Sequence, residues 1–347
     1  MATPRILNLM LAPAAGGLES MALNYHRALE AHGAQVLSVG ITGSWFEQAL
    51  AHHTGGFAGL KPASPIDPRQ GWALARIAKA FAPDVVLAHG SRGAALAVAA
   101  LSRQPARIAA VVHNFRARRA IARTALAICV SPAVGADVRA RFPAVSVAVV
   151  ENFAPLSRTP PRAVVANPPH IGTLGRLHEE KGFDILLDAA AQLRDRGRAF
   201  RLSIAGEGPA AADLKAQAAR LGLTAQVDFP GWVSPPEKLL AELDLFVCSS
   251  RTESFGLVVI EAMAAGAPVV ATDIEGPRIL LGEGRYGRLV PPEAPAALAD
   301  AMAAALDDRQ ATLDMARLAQ GQAIAPYDMD AGATRLWTAL IPLLEGR

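Results

Sequence analysis

At 347 residues the chain is long enough for two domains of ordinary size and too short for three. Hydrophobic residues make up 52% and charged residues 19%, which excludes a disordered or acidic-tail protein, because enough apolar surface is available to offset chain entropy. No uninterrupted apolar run of about 18 residues occurs; the nearest, Val85 to Leu101, is broken by His89, Ser91 and Arg92. The net charge of +3 hides an asymmetry, since residues 1–160 carry 16 Lys and Arg against 7 Asp and Glu, and the remainder 18 against 24.

In chain order, strand-like and helix-like segments alternate from the start. Ile6 to Leu11 reads as a first strand rather than a signal peptide, because the apolar run is short, Asn8 interrupts it, and a Gly16-Gly17 turn and a helix-period segment follow at once. An amphipathic run from Leu18 to His32 and a strand from Gln35 to Ile41 come next. Trp72 to Ala82 is helical, Val85 to Ala88 a strand, Gly93 to Ser102 helical, and Arg107 to Val112 and Ala125 to Val130 strands. Such alternation predicts a parallel sheet covered by helices. Arg103, Arg107, Arg116, Arg118, Arg119 and Arg123 crowd one stretch, either as a solvated loop or as a basic face meeting an anionic partner.

Between Ala154 and Pro169 five of sixteen residues are proline, a density that forbids helix and central strand and suits a stiff connector. The alternation then restarts with strands at His170 to Thr173, Arg201 to Ala205, Gln226 to Phe229, Leu245 to Cys248 and Pro268 to Thr272. Helices fall at Phe183 to Gly197, Pro209 to Leu221, Pro236 to Leu243 and Phe255 to Ala265. The fold class is therefore α/β, two doubly wound parallel-sheet domains, with ligands at the carboxyl ends of the strands and a site expected in a cleft between the domains. Cys129 and Cys248 lie in apolar strand-like runs and read as small buried hydrophobes of a reducing cytoplasm.

The segment Cys248-Ser-Ser-Arg-Thr-Glu253-Ser-Phe255-Gly256-Leu257-Val-Val-Ile-Glu261 carries the most chemistry. A strand ends, a loop follows, and a helix starts near Phe255 or Gly256, so the N–H groups of Phe255, Gly256 and Leu257 predict an anion site. The helix is apolar on every side except at Glu261. A carboxylate buried there needs a partner, either a ribose diol or an internal arginine. Upstream, Gly175-Arg176 and Lys181-Gly182 set two cations on a strand-to-helix loop, suited to a diphosphate. The Gly206-Glu207-Gly208-Pro209 turn places Pro209 as a first helical residue, and neither it nor Gly16-Gly17 completes a G-x-G-x-x-G. Asp328 and Asp330 read as an N-cap rather than a metal pair, the His52-His53 pair lies in a loop-like stretch, and no H-E-x-x-H or G-x-S-x-G occurs, so no metal and no hydrolase are expected.

Together these segments resemble the GT-B retaining glycosyltransferases of the GT4 family, closely through Glu253-x7-Glu261 to Tyr286-Gly-Arg-Leu-Val-Pro-Pro292 and more thinly in the first half. The resemblance implies a nucleotide-diphospho sugar donor, transfer with retention and no metal or other cofactor. It makes Arg176 and Lys181 diphosphate ligands and Glu261 the ribose ligand. Glu253 and the Phe255 to Leu257 backbone would hold donor sugar and phosphate, Gly175 would belong to the diphosphate loop, and Gly16 and Gly17 would approach the phosphate from the first domain. Val233 would line the base pocket, and His113 matches a family histidine near the sugar, with a capping or core role as the alternative. Two departures stand out: Gly276-Pro277-Arg278 where a glutamate often follows a Gly-Gly turn, and Phe153 after Asn152 where glycine is usual.

On this reading residues 1–158 with 325–347 form the acceptor side and 159–324 the donor side, the segment Asp330 to Leu344 being the helix that returns to the first domain. The expected partners are a nucleotide sugar and a glycan or lipid-linked acceptor, such as a lipopolysaccharide core, at an anionic inner membrane surface; nucleic acid is not expected. The expected location is cytoplasmic, peripheral to that membrane. A nucleotide-sugar epimerase and a two-domain sugar-binding protein are the rival readings.

Overall fold

The computed structural model describes residues 3–12, 16–51, 56–62, 67–101, 107–115, 119–162 and 166–345. Arg103, Arg116 and Arg118 of the arginine stretch, and His52 and His53, lie outside the described residues. The chain divides into two compact units, Met1–Pro155 with Tyr327–Arg347, and Leu156–Pro326.

In the first unit the strands are Arg5–Leu9 (β1), Gln35–Ile41 (β2), Phe57–Leu60 (β3), Val85–His89 (β4), Arg107–Val112 (β5), Leu126–Cys129 (β6) and Ser146–Val149 (β7). All pair in parallel, in the order β3-β2-β1-β4-β5-β6-β7. The helices Gly17–Ala31 (α1), Trp45–Leu50 (α2), Pro68–Phe81 (α3), Gly90–Leu101 (α4) and Pro132–Arg141 (α5) connect them. Strand order reverses between β1 and β4, the kind of point at which doubly wound sheets open a crevice at their carboxyl ends.

The second unit repeats the plan. Its strands are His170–Leu174 (β8), Arg201–Ala205 (β9), Val227–Gly231 (β10), Leu245–Cys248 (β11), Val269–Thr272 (β12) and Arg288–Val290 (β13), parallel in the order β10-β9-β8-β11-β12-β13. Phe183–Asp195 (α6), Ala211–Arg220 (α7), Pro236–Glu242 (α8), Leu257–Ala264 (α9), Glu275–Leu280 (α10), Pro295–Asp307 (α11) and Arg309–Leu318 (α12) accompany them. Here the order reverses between β8 and β11. Covered strands of this kind read as continuous apolar runs, and Leu245, Phe246 and Val247 are fully buried.

Several elements differ from the sequence expectation. α3 begins four residues before Trp72, because Asp67 accepts a hydrogen bond from the Arg69 N–H at 2.9 Å and Pro68 supplies the first turn. Pro209 is not helical: α7 starts at Ala211, since the Ala210 N–H donates to the Leu177 carbonyl at 3.0 Å and holds the preceding turn against the loop after β8. α9 starts at Leu257, with Gly256 at φ 108° as its N-cap, so Phe255 precedes the helix. α2, β3, α5, β7, α10, β13, α11 and α12 fall where the alternation was not traced.

The last helix, Met329–Glu345 (α13), belongs to the first unit and packs on α1. Asp328 caps it, its Oδ1 accepting from the Met329 N–H at 2.7 Å and its carbonyl accepting from the Gly332 N–H at 3.0 Å. Arg107 ties the far end by donating to the Leu343 carbonyl at 2.6 Å. The unexpected Phe153 is fully buried, stacks on Tyr25 with 5.6 Å between ring centroids, and lies against Gly332. A Cβ at position 332 would sit 2.0 Å from the Phe153 ring. The bulk at position 153 is thus matched by its absence at 332. Gly332→Ala is therefore expected to lower stability by about 1–3 kcal/mol through overpacking, despite alanine's better helix propensity; a thermal melt equal to or above that of the wild type would contradict this packing.

Candidate active site

The polar groups of the second unit gather where its strand order reverses. The loop from Gly175 to Gly182 leaves β8, and Gly182, at φ 61°, turns the chain into α6. A Cβ there would lie 2.1 Å from the Ser249 carbonyl oxygen, so only glycine lets this loop lie against the end of β11. Ser249 Oγ donates to the Lys181 carbonyl at 3.0 Å, and the Arg251 N–H donates to the Glu180 carbonyl at 2.9 Å. Backbone contacts thus set Lys181 beside the loop that carries Glu253, and Lys181 Nζ is ion-paired with Glu253. Burial alone would pull the lysine pKa down, but the Glu253 charge and hydrogen bond more than offset this and raise it. Arg176, on the same loop, is exposed and works weakly in the opposite sense on Lys181.

α9 follows Glu253. The Val259 N–H returns to the Gly256 carbonyl at 2.9 Å, so the N–H groups of Leu257 and Val258 at the helix start have no acceptor within the helix. Of the expected donors Phe255, Gly256 and Leu257, only Leu257 therefore lies in the helix, with Gly256 as its N-cap. The Gly276 N–H donates to the Glu253 carbonyl at 3.2 Å, and Gly276 lies so close to the Phe255 carbonyl that a Cβ would approach to 2.3 Å. The Gly276-Pro277-Arg278 departure therefore supports the loop, while Arg278 turns to Asp273 at 2.6 Å.

Glu261 lies among apolar neighbours on α9. Among the described residues no cation pairs with it, so the internal-arginine alternative is not what the fold builds. Although it keeps some exposed surface, burial, reinforced by the charge of Glu237 on α8, pushes its carboxyl up to about 8. Glu237 has a buried Oε2 without a hydrogen-bond partner. Val233, half-buried, is in the turn between β10 and α8.

Sequence reasoning gave no role to Arg251, which proves to be the brace of the site. Its guanidinium forks onto Asp184 at the start of α6, with Nη1 and Nη2 each 2.7 Å from one carboxylate oxygen, and reaches Glu293 at 2.5 Å. The Asp184 hydrogen bonds raise the arginine's pKa, and the same bonds hold the Asp184 carboxyl below its ordinary value. An Arg three residues past a strand end and an Asp in the first turn of a helix were the only cues.

In the first unit Gly16 caps α1 and Gly17 is its first residue. His113 immediately follows β5 and lines a cavity of about 190 Å³ with Leu18, Gly90, Ser91, Asn114 and Ile121. Burial pulls its imidazole down to about 4, so it is neutral at physiological pH. Cys129 and Cys248 are both buried free thiols, Cys129 pushed up to about 12 by burial. Among the described residues no group of three or more His, Cys, Asp or Glu is arranged to hold a metal ion. Among them, too, no helix is long and apolar enough to cross a membrane.

Two consecutive family profiles match the chain: Glycosyltransferase Family 4 over residues 15–158 and Glycosyl transferases group 1 over residues 168–308. The protein belongs to this family of glycosyltransferases. Its fold is the GT-B fold. The crystal structure of Anabaena Alr3699/HepE in complex with UDP and glucose matches it with a TM-score of 0.84 at 23% identity, over 97% of this chain and 99% of that one. Sucrose-phosphate synthase from Thermosynechococcus elongatus matches with a TM-score of 0.86 at 18% identity, over 99% and 100%. By sequence, the chain is 35% identical to the alpha-D-kanosaminyltransferase of Streptomyces kanamyceticus over 165 residues, 47% of this chain and 43% of that protein. It is 37% identical to the lipopolysaccharide core biosynthesis glycosyltransferase LpsE of Rhizobium meliloti over 125 residues, 36% of each. The chain spans roughly two-fifths of the length of the curated relatives it matches, between 33% and 44%.

The Glu261 environment makes a test of its own. A carboxyl raised from its ordinary 4.5 to about 8 binds its proton more tightly folded than unfolded. The stability it permits is fully present below about pH 4.5 and is lost as pH rises through about 8. Glu261→Gln, neutral throughout, should therefore gain several degrees in melting temperature over the wild type between pH 5 and pH 9; a difference that does not change with pH would contradict the unpaired environment.

Proposed function

We propose that the protein is a retaining glycosyltransferase that moves a hexosyl group from a nucleoside diphospho-sugar to an acceptor hydroxyl. The observation that carries this reading is the gathering of Arg176, charged Lys181 and the start of α9 at the strand reversal of the second unit, in a chain of a sugar-transferring family. The solved complexes with UDP, and with UDP-glucose, of a protein sharing the fold support a nucleotide-sugar donor.

The chemistry follows from where charge develops. The bond from the anomeric carbon to the diphosphate oxygen breaks, and the acceptor oxygen bonds to the same face of that carbon. The acceptor's proton passes to the departing phosphate oxygen, giving a glycoside and a nucleoside diphosphate. Negative charge grows on the diphosphate, so Lys181, Arg176 and the Leu257 and Val258 N–H groups favour the transition state over the ground state. Glu253 holds Lys181 charged until the diphosphate takes its place, and is then free to accept from sugar hydroxyls. Glu261 and Glu237 offer acceptor oxygens to a ribose diol. Two cations and a helix start fill the role of a divalent metal, so none is required.

We propose further that the acceptor is a glycan or lipid-linked core presented at an anionic membrane surface. One face of α3 supports this: Trp72, Arg76 and Lys79 recur at helical spacing and all are exposed, with Trp72 at 73%, while Arg69 at the helix start forks onto Asp67. An indole flanked by cations suits the headgroup layer, each basic residue there contributing about 1 kcal/mol, screened by salt. LpsE and the phosphatidyl-myo-inositol mannosyltransferase of Mycobacterium leprae are named for such acceptors.

Incubation with labelled nucleotide sugars, with and without lipopolysaccharide-type acceptors and with excess EDTA, tests the reading. Glycoside of retained anomeric configuration, formed only with acceptor and undiminished by EDTA, is expected; conversion of donor without acceptor would point to an epimerase, and binding without turnover to a sugar-binding protein. Flotation with anionic vesicles should fall at high salt and on Trp72→Ala with Arg76→Glu, whereas flotation indifferent to both would remove the membrane from the account.

A further inference from the structure

A row of hydrogen-bonded polar groups crosses the buried face of the first unit's sheet, beneath α1. Asn8 on β1 and Ser38 on β2 are partners in the strand register, and both are fully buried. His89 ends β4, and His113 follows β5. Asn8 Nδ2 donates to the Ala22 carbonyl at 2.9 Å and to Ser38 Oγ at 3.1 Å. Asn8 Oδ1 lies 2.8 Å from His89 Nε2, and His89 Nδ1 lies 3.1 Å from His113 Nε2. At the other end Ser38 Oγ lies 2.9 Å from His26 Nδ1, and His26 Nε2 is 3.3 Å from Glu30 Oε2.

From Asn8 to His113 the chemistry of these groups leaves one direction for every proton. The Ala22 carbonyl can only accept, so the Asn8 amide must turn its NH₂ toward α1 and its oxygen toward His89. An amide oxygen can only accept, so His89 carries hydrogen on Nε2. A neutral His89 then has a bare Nδ1, and the hydrogen between the two rings must belong to His113 Nε2. Burial, and the neighbouring His113, hold His89 well below its ordinary pKa and therefore neutral. Tyr25, its ring edge against His89 at 5.1 Å, and the stacked rings of His89 and His113 at 5.3 Å fix the geometry.

We propose that Asn8 and His89 are positioning residues that lock His113 in the Nε2–H tautomer, so that its Nδ1 presents a lone pair, and not a proton, to a ligand hydroxyl in the adjoining cavity. Nδ1 has no partner among the described residues, and His113 lines that cavity. The ligand class is therefore one that donates: a sugar or polyol hydroxyl, not a carbonyl or an anion. The tautomer is a property of the apo protein, and only its kinetic consequence rests on the transferase reading.

Long-range ¹H–¹⁵N correlation of the labelled, ligand-free protein reads the tautomers directly. His113 and His89 should both be protonated on Nε2 and bare on Nδ1. Asn8→Ala removes the acceptor that fixes the His89 Nε2–H, and should let His89, and with it His113, exchange between coupled tautomers. His89→Phe keeps the ring stack but removes the acceptor, and should let His113 exchange between tautomers. In both variants kcat should fall with the fraction of His113 that keeps Nδ1 bare, by about two- to fivefold, with nucleoside diphosphate affinity unchanged. His113 protonated on Nδ1 in the wild type, or an unaltered His113 tautomer in a folded variant, would overturn the proposal. If the tautomers respond as stated while no donor is ever turned over, the transferase reading fails and the positioning stands.

Discussion

A parallel strand can return to its sheet only by a crossover, so each strand's carboxyl end opens into a loop and then into the start of a helix. Both units of this protein are shaped by that constraint. Where strand order reverses, two such loops diverge, and polar groups can occupy the opening without breaking a ladder. β8 and β11 place Lys181 and Glu253 there in one unit; β1 and β4 place Asn8 and His89 at the corresponding point of the other.

The two reversals are put to different uses. In the second unit the ionic partners are partly solvated and can be exchanged: a lysine held charged by one carboxylate, an exposed arginine on the same loop, and N–H groups at a helix start without an acceptor in the helix. On the proposed reading an anionic ligand replaces Glu253 at Lys181 without leaving a buried charge bare. Around it, Arg251 spans Asp184 and Glu293 and holds the loops still, so the exchange occurs against a fixed frame. In the first unit Asn8, His89 and His113 are neutral, and the hydrogens between them are committed. That row cannot exchange partners, but it can dictate which atom of its last imidazole is bare.

Much of this was legible in the sequence. Gln35–Ile41, Arg107–Val112, Arg201–Ala205 and Leu245–Cys248 emerge at their predicted bounds because strands buried on both faces are written as compact apolar runs between turns. The loop cations and the lone acid of α9 were visible because a charge in an apolar setting demands an explanation. α9 starts one or two residues after the expected Phe255 or Gly256 because Gly256 serves as a left-handed cap and not as a helical residue. Pro209 was assigned to a helix on a positional preference that a backbone contact with Leu177 overrides. Arg251 and the Asn8–His89–His113 row were not legible, since their partners come from strands and helices far apart in sequence and no local spacing announces them. Phe153 looked like a misfit until Gly332, 179 positions later, was seen to make room for it.

The central claim is that Lys181, kept charged by Glu253, receives a diphosphate. Calorimetric titration of the wild type and Lys181→Ala with nucleoside diphosphates of uridine, guanosine and adenosine, each beside its parent nucleoside, tests it most directly. The account predicts that one diphosphate binds the wild type at least about tenfold more tightly than its nucleoside, and that Lys181→Ala loses this increment while nucleoside binding stays as it was. An increment unchanged by the loss of Lys181 would contradict the account.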